Sequence, residues 1–196
     1  MKREVDVLNA VPSKRIYRSI IADYGLETAI AELIDNVLDS RKRNQLRRQT
    51  KVKLRFDLED QSITIADDAG GIAEADLSKL ISPGASLDAG EGSTIGVFGV
   101  GSKRAVVALA KDIKIASRCG NAGRTLELDY DDSWLSSEDW DLPYYQVDSL
   151  SEGTTMITLS RLRFRIEEAD VTALAKYLGC IYGRFIDKRQ LQISIS

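Results

Sequence analysis

The chain has 196 residues, 43% hydrophobic and 29% charged, with a net charge of −3 at pH 7; that is enough for one domain with a sizeable core, and too balanced for whole-chain charge to name a partner. No apolar run approaches a bilayer span, no apolar stretch follows the charged start Met1-Lys-Arg-Glu-Val-Asp, and with two isolated cysteines and no histidine structural zinc and histidine-dependent triads are excluded. A cytosolic protein, nuclear in a eukaryote, with no membrane partner and with Cys119 and Cys180 buried as small apolar residues, is expected.

In chain order, Pro12 to Tyr24 reads as a short helix ending near Gly25, with Ser13 as N-cap. A second, amphipathic helix runs from about Glu27 to Arg43, and Lys51 to Glu59 with Gln61 to Ala66 alternate as a β-hairpin whose second strand delivers Asp67. Asp76 to Ile81 is a short helix; the glycine-bearing stretch after it, from Ser82 to about Val100, is expected to be a mobile loop. A helix from Gly101 to about Lys111 precedes strands Ile113 to Arg118 and Arg124 to Tyr130, and the acidic residues 131 to 143, holding both tryptophans, read as irregular. Strands Tyr145 to Val147 and Thr154 to Leu159, a helix from Glu167 to Ile186 and a strand Gln190 to Ile195 complete the chain. Hairpins interleaved with helices argue for α+β, a mixed, mostly antiparallel sheet with helices on one face.

Three segments carry chemistry. Glu32-Leu-Ile-Asp-Asn36 puts a carboxylate and a carboxamide one above the other on one helical face, where the first can accept a proton from water and the second can ligate a hard cation without adding charge. Taken alone, these residues also fit an ordinary surface pair. Ile63-Thr-Ile-Ala-Asp-Asp-Ala-Gly-Gly-Ile72 is a strand running into an acidic, glycine-rich turn, and Gly96-Val-Phe-Gly-Val-Gly-Ser-Lys103 is a glycine-rich loop opening a helix, a ready anion site. In this order, and followed by Glu152-Gly-Thr-Thr-Met-Ile-Thr-Leu159, they resemble the GHKL ATPase superfamily of DNA gyrase B, heat-shock chaperone, histidine kinase and MutL domains, with MORC proteins allied.

The resemblance implies a two-layer α/β sandwich with ATP between helices and sheet. It makes Glu32 the general base, Asn36 the Mg²⁺ ligand and Asp39 an acid bordering the nucleotide, although a solvated or salt-bridged acid is an equal reading of Asp39. Asp67 would accept from the adenine amino group, Gly71 would let the backbone approach the base, and Ile72 would wall it. Gly99, Val100, Gly101, Ser102 and Lys103 would hold phosphate, and Thr154, or less favourably Thr155, would contact adenine. Relatives carry glycine where this chain has Ala69; if that position needs φ > 0, alanine costs about 1 kcal/mol unless Gly70 absorbs the turn.

The expectation is a single domain over 1–196, the N-terminal module of a longer protein, with residues 82–100 as an ATP lid. It binds Mg-ATP and hydrolyses it slowly, ATP acting as a switch for homodimerisation or a partner domain. The alternatives are a protein kinase of the same superfamily and a non-catalytic nucleotide-gated module. Arg41 to Arg55 holds eight basic residues and no acidic one, a run that suits DNA phosphate or simply a solvated helix end.

Overall fold

The computed structural model describes residues 13–14, 16–17, 24–85, 101–120 and 122–196, with only the backbone of Ser102. Helix α1 (Leu26–Arg43) forms because Leu26, Ala29, Ile30, Leu33, Ile34, Val37 and Leu38 recur at helical spacing and are all buried. Thr28 reaches back to the Gly25 amide at its start, and Arg41, Lys42 and Arg43 complement the dipole at its end.

Strands β1 (Thr50–Asp57) and β2 (Ser62–Asp67) make the expected hairpin, followed by a 3₁₀ turn, η1 (Glu74–Leu80). Then come α2 (Gly101–Leu109), β3 (Ala110–Arg118), β4 (Thr125–Asp131), α3 (Asp132–Ser136), β5 (Tyr144–Val147), β6 (Thr154–Leu162), α4 (Glu168–Asp187) and β7 (Leu191–Ile195). The seven strands form one sheet in the order β5-β4-β3-β6-β2-β1-β7, antiparallel except for the parallel pair β1/β7. Helices α1, α2 and α4 cover one face, their apolar stripes meeting Val52, Leu54, Ile63, Ile65, Ile113 and Leu159 in one core. This is the α+β sandwich expected from the sequence.

Helix α2 stops at Leu109 rather than Lys111, and β3 follows without a turn. The cause lies far along the chain. Arg163 donates from its backbone amide to the Leu109 carbonyl at 2.9 Å and from Nε to the Val107 carbonyl at 2.6 Å, so the last turn is satisfied without a further helical residue. Its guanidinium also pairs with Asp132. Arg163→Ala should therefore lower unfolding free energy by about 1–3 kcal/mol, read in chemical denaturation; a variant as stable as the parent would show that this cap contributes nothing.

Residues 131 to 143 are not irregular throughout. Asp131 caps α3, accepting from the amides of Ser133 and Trp134 at 2.9 Å each. The buried Lys14 ammonium lies 3.6 Å from the centre of the Trp134 ring and donates to the Trp134 carbonyl and Ser137 Oγ. Trp140 stands edge-on to Trp134 and Tyr17, whose hydroxyl bonds the Ile81 carbonyl. The sequence reads this stretch as a loop because its order depends on a lysine 120 residues away. Of the expected first helix, Ser13, Lys14, Ile16, Tyr17 and Tyr24 are described, Ile16 and Tyr17 being helical. Neither cysteine is buried: Cys119 is half-buried and Cys180 is exposed. No helix among the described residues is long and apolar enough to cross a membrane.

Candidate functional site

The site starts on α1. Glu32 is half-buried where α1 meets the first residue of α2: a Cβ built on Gly101 would lie 2.2 Å from Glu32 Oε2. Only glycine leaves room for that carboxylate. Tyr24 donates to Glu32, and the Arg104 guanidinium lies near it and stacks over the Tyr24 ring at 4.9 Å. Burial, and secondarily the charge of Asp35, raises the Glu32 carboxyl above its ordinary range, against the pull of Arg104 and the Tyr24 hydroxyl. A raised carboxyl is a better proton acceptor near neutral pH.

One turn on, Asn36 is exposed, and its Nδ2 donates to the Glu32 carbonyl at 2.5 Å. Because a carbonyl only accepts, that bond assigns the amide nitrogen inward and leaves Oδ1 outward. Asp35 turns the other way, bonded by the Tyr182 hydroxyl of α4 at 2.7 Å. Asp39 is buried further along the helix, near enough for its charge to act on Asp35. No group of three or more acidic, cysteine or histidine side chains able to hold a metal occurs among the described residues. A single outward amide oxygen at Asn36 is the kind of donor a cation that keeps most of its waters can take, as Mg²⁺ can.

The turn after β2 is tied to the end of α1, because Asn44 Nδ2 donates to the Ala69 carbonyl at 2.8 Å. Asp67 Oδ1 accepts the Ala69 amide at 2.9 Å, yet burial outweighs this and pushes the carboxyl up to about 7. Ala69 is fully buried and has no positive φ; Gly70 (φ +119°) and Gly71 (φ +70°) absorb the turn. The missing glycine therefore costs nothing. At Gly71 a Cβ would lie 2.2 Å from the Arg118 carbonyl, so the close approach that excludes a side chain is to the protein's own β3.

Register decides the threonine. Asp67, Thr155 and Ser117 are direct partners across β2, β6 and β3, so their side chains share the helix-covered face, while Thr154 pairs with Arg118 and points to the other. Of the two threonines, the register therefore puts Thr155 and not Thr154 on the face with Asp67. Ser117 Oγ lies 3.0 Å from Thr155 Oγ1 and accepts the Ile72 amide at 2.8 Å, while the Ile72 side chain packs on Leu77, Leu126 and Leu128.

Lys103 is buried and donates to the Ala85 carbonyl at 2.6 Å, with burial lowering its ammonium to about 8. It is thus turned from the side of α2 that meets Glu32, which belongs to Gly101 and Arg104. Gly99 and Val100 lie outside the described residues, as does 86–100 of the lid. Sequence reasoning missed Arg104, Tyr24, Ser117 and Tyr182; only the adjacency of Arg104 to the glycine-rich loop could have flagged any of them.

No curated protein matches the chain. A match to the family described as "Histidine kinase-, DNA gyrase B-, and HSP90-like ATPase" covers residues 24–159, which contain Glu32, Asn36, Asp67, Gly101 and Thr155. With this match and the two-layer fold, the chain belongs to the histidine kinase-, DNA gyrase B- and HSP90-like ATPase family.

Proposed function

We propose that the chain binds Mg-ATP between α1, the start of α2 and the helix-covered face of the sheet, and hydrolyses it slowly. The observation that carries this is the pairing of a raised Glu32 carboxyl with an outward Asn36 oxygen one turn away. Asn36 Oδ1 would hold Mg²⁺, which supplies charge neutralisation to the phosphates when bound. Glu32 takes the proton of an attacking water, and Tyr24 and Gly101 hold its carboxylate in place. Asp67 accepts from the adenine amino group, with Thr155 and Ser117 beside it in the same row. Arg104 is the cation beside Glu32; Lys103 reaches phosphate only after leaving Ala85.

Residues 82–100 act as a lid, with Tyr17 bonded to Ile81 just before it and Lys103 to Ala85 within its first turn. Closure over ATP would couple nucleotide state to a second copy or a partner domain, as in a MORC-, MutL- or chaperone-like switch. The test is to incubate the protein with γ-labelled Mg-ATP and follow both free phosphate and labelled protein. Free phosphate alone supports hydrolysis; label on protein makes it a kinase; ATP bound with neither product makes it a non-catalytic module.

Gly101→Ala should separate positioning from folding. The added methyl displaces the Glu32 carboxylate, so turnover should fall by about 10- to 100-fold while the melting temperature barely changes. Unchanged turnover would remove Glu32 from the reacting geometry seen at α2.

A further inference from the structure

Apart from Lys42, the basic residues from Arg41 to Arg55 divide into two sets. Arg41 donates to Thr50 Oγ1 at 3.2 Å and to the Arg48 carbonyl, Arg43 donates to Ser40 at 2.9 Å, and Arg48 pairs with Asp68 at 2.7 Å. These cations hold the α1–β1 connection. The others have no such work: Arg47, Lys51, Lys53 and Arg55 are exposed and make no side-chain hydrogen bond or ion pair among the described residues.

Strand alternation explains their arrangement. Val52 and Leu54 enter the core, so Lys51, Lys53 and Arg55 stand on the opposite face, at intervals of about 7 Å along the strand. β7 runs parallel to β1 from the pair Thr50/Leu191, and the Thr50 amide donates to the Gln190 carbonyl at 3.0 Å. The connection into β7 therefore brings Lys188 and Arg189, also exposed and without ion pairs among the described residues, to the Lys51 end of the row. Six unspent cations gather on one edge of a protein whose net charge is −3. The row stops at Asp57, whose carboxylate accepts the turn amides of Glu59 and Asp60.

The acid beside the row, Asp68, accepts the Lys51 amide and is already paired with Arg48, and a linear row of cations so little neutralised complements a polyanion with a repeating charge. Beside it stand polar side chains: Gln192 opposite Lys51 and Thr64 opposite Arg55. None of the exposed large apolar residues lies on β1 or β7, which disfavours insertion into a lipid surface. No exposed aromatic lies there either, so bases have no stacking platform and the contact is to backbone.

We propose that Lys51, Lys53 and Arg55, with Arg47, Lys188 and Arg189 at their end, form a docking surface for the phosphate backbone of a nucleic-acid duplex, independent of sequence. The surface faces away from the nucleotide cleft, so the proposal stands or falls apart from ATP binding.

The test is fluorescence anisotropy of a short labelled DNA duplex with the full chain, at salt from about 50 to about 200 mM. Wild type should bind, with log K falling linearly in log salt. The triple variant K51E/K53E/R55E should bind at least ~10-fold more weakly, with a slope shallower by about 3. K188E/R189E should weaken binding separately, and K176E on α4, outside the row, should not. All five positions mutated on β1 and before β7 are exposed, so melting temperatures and ATP binding should match wild type. Equal affinity and slope in the triple variant would overturn the proposal, as would a wild type that ignores the duplex or binds only phosphatidylserine vesicles.

Discussion

Glu32→Ala should still bind Mg-ATP but release phosphate at least ~10²-fold more slowly than the parent. The reason is the division of labour on α1. In the proposed reaction the carboxylate would be the proton acceptor; Asn36, Asp67 and Thr155, which would hold metal and base, do not depend on it, because the Asn36 amide bonds the backbone carbonyl of residue 32 and not its side chain. Asn36→Ala should fail differently, losing both affinity and turnover, and added Mg²⁺ should recover little because the lost group is a protein ligand. Equilibrium binding and phosphate release measured on the same preparations separate the two. An E32A protein that hydrolyses at the parental rate would remove Glu32 as the base.

Asp67→Asn should weaken ATP binding by about 10- to 100-fold, the worth of a hydrogen bond to a charged acceptor. The same change should stabilise the free protein above neutral pH. The folded carboxyl titrates at about 7, above its ordinary 3.8. Between those values the folded state keeps a proton that the unfolded chain releases, so stability from this group is full below the lower value, declines as pH rises through the window and is flat beyond it. Asparagine keeps the bond from the Ala69 amide and has no charge to bury. Discounted for the residue's partial exposure, the gain at pH 8 is about 2 kcal/mol, shrinking toward acid. Denaturation curves for the two proteins that stay a constant distance apart from acid to alkaline pH would contradict this.

Much of this arrangement is legible in the sequence. The periodicity from Leu26 to Leu38 declares α1 and puts Glu32 above Asn36, and the alternation from Ile63 to Ala66 delivers Asp67 to the end of a strand. What the sequence hides is relative phase. Thr154 and Thr155 are neighbours of one kind, and only pairing with Asp67 on β2 and Ser117 on β3 says which faces the helices. Lys103 and Arg104 differ by one step around α2, and only the packing of Gly101 on Glu32 shows which side meets the carboxylate. Tyr24, Tyr182 and Arg163 act over distances that no local pattern records. Ala69 illustrates the reverse: an apparent departure from the family's turn is harmless because the positive φ falls on Gly70 and Gly71.

The most direct measurement is calorimetric titration of the chain with Mg-ATP and, separately, Mg-GTP. Adenine donates an amino hydrogen where guanine presents a carbonyl oxygen, and at about pH 8, above the titration of Asp67, its ionised carboxylate would accept the one and repel the other. The account predicts saturable one-to-one binding of ATP, with GTP weaker by roughly 100-fold or more. No heat with ATP, or equal affinity for the two nucleotides, would contradict it.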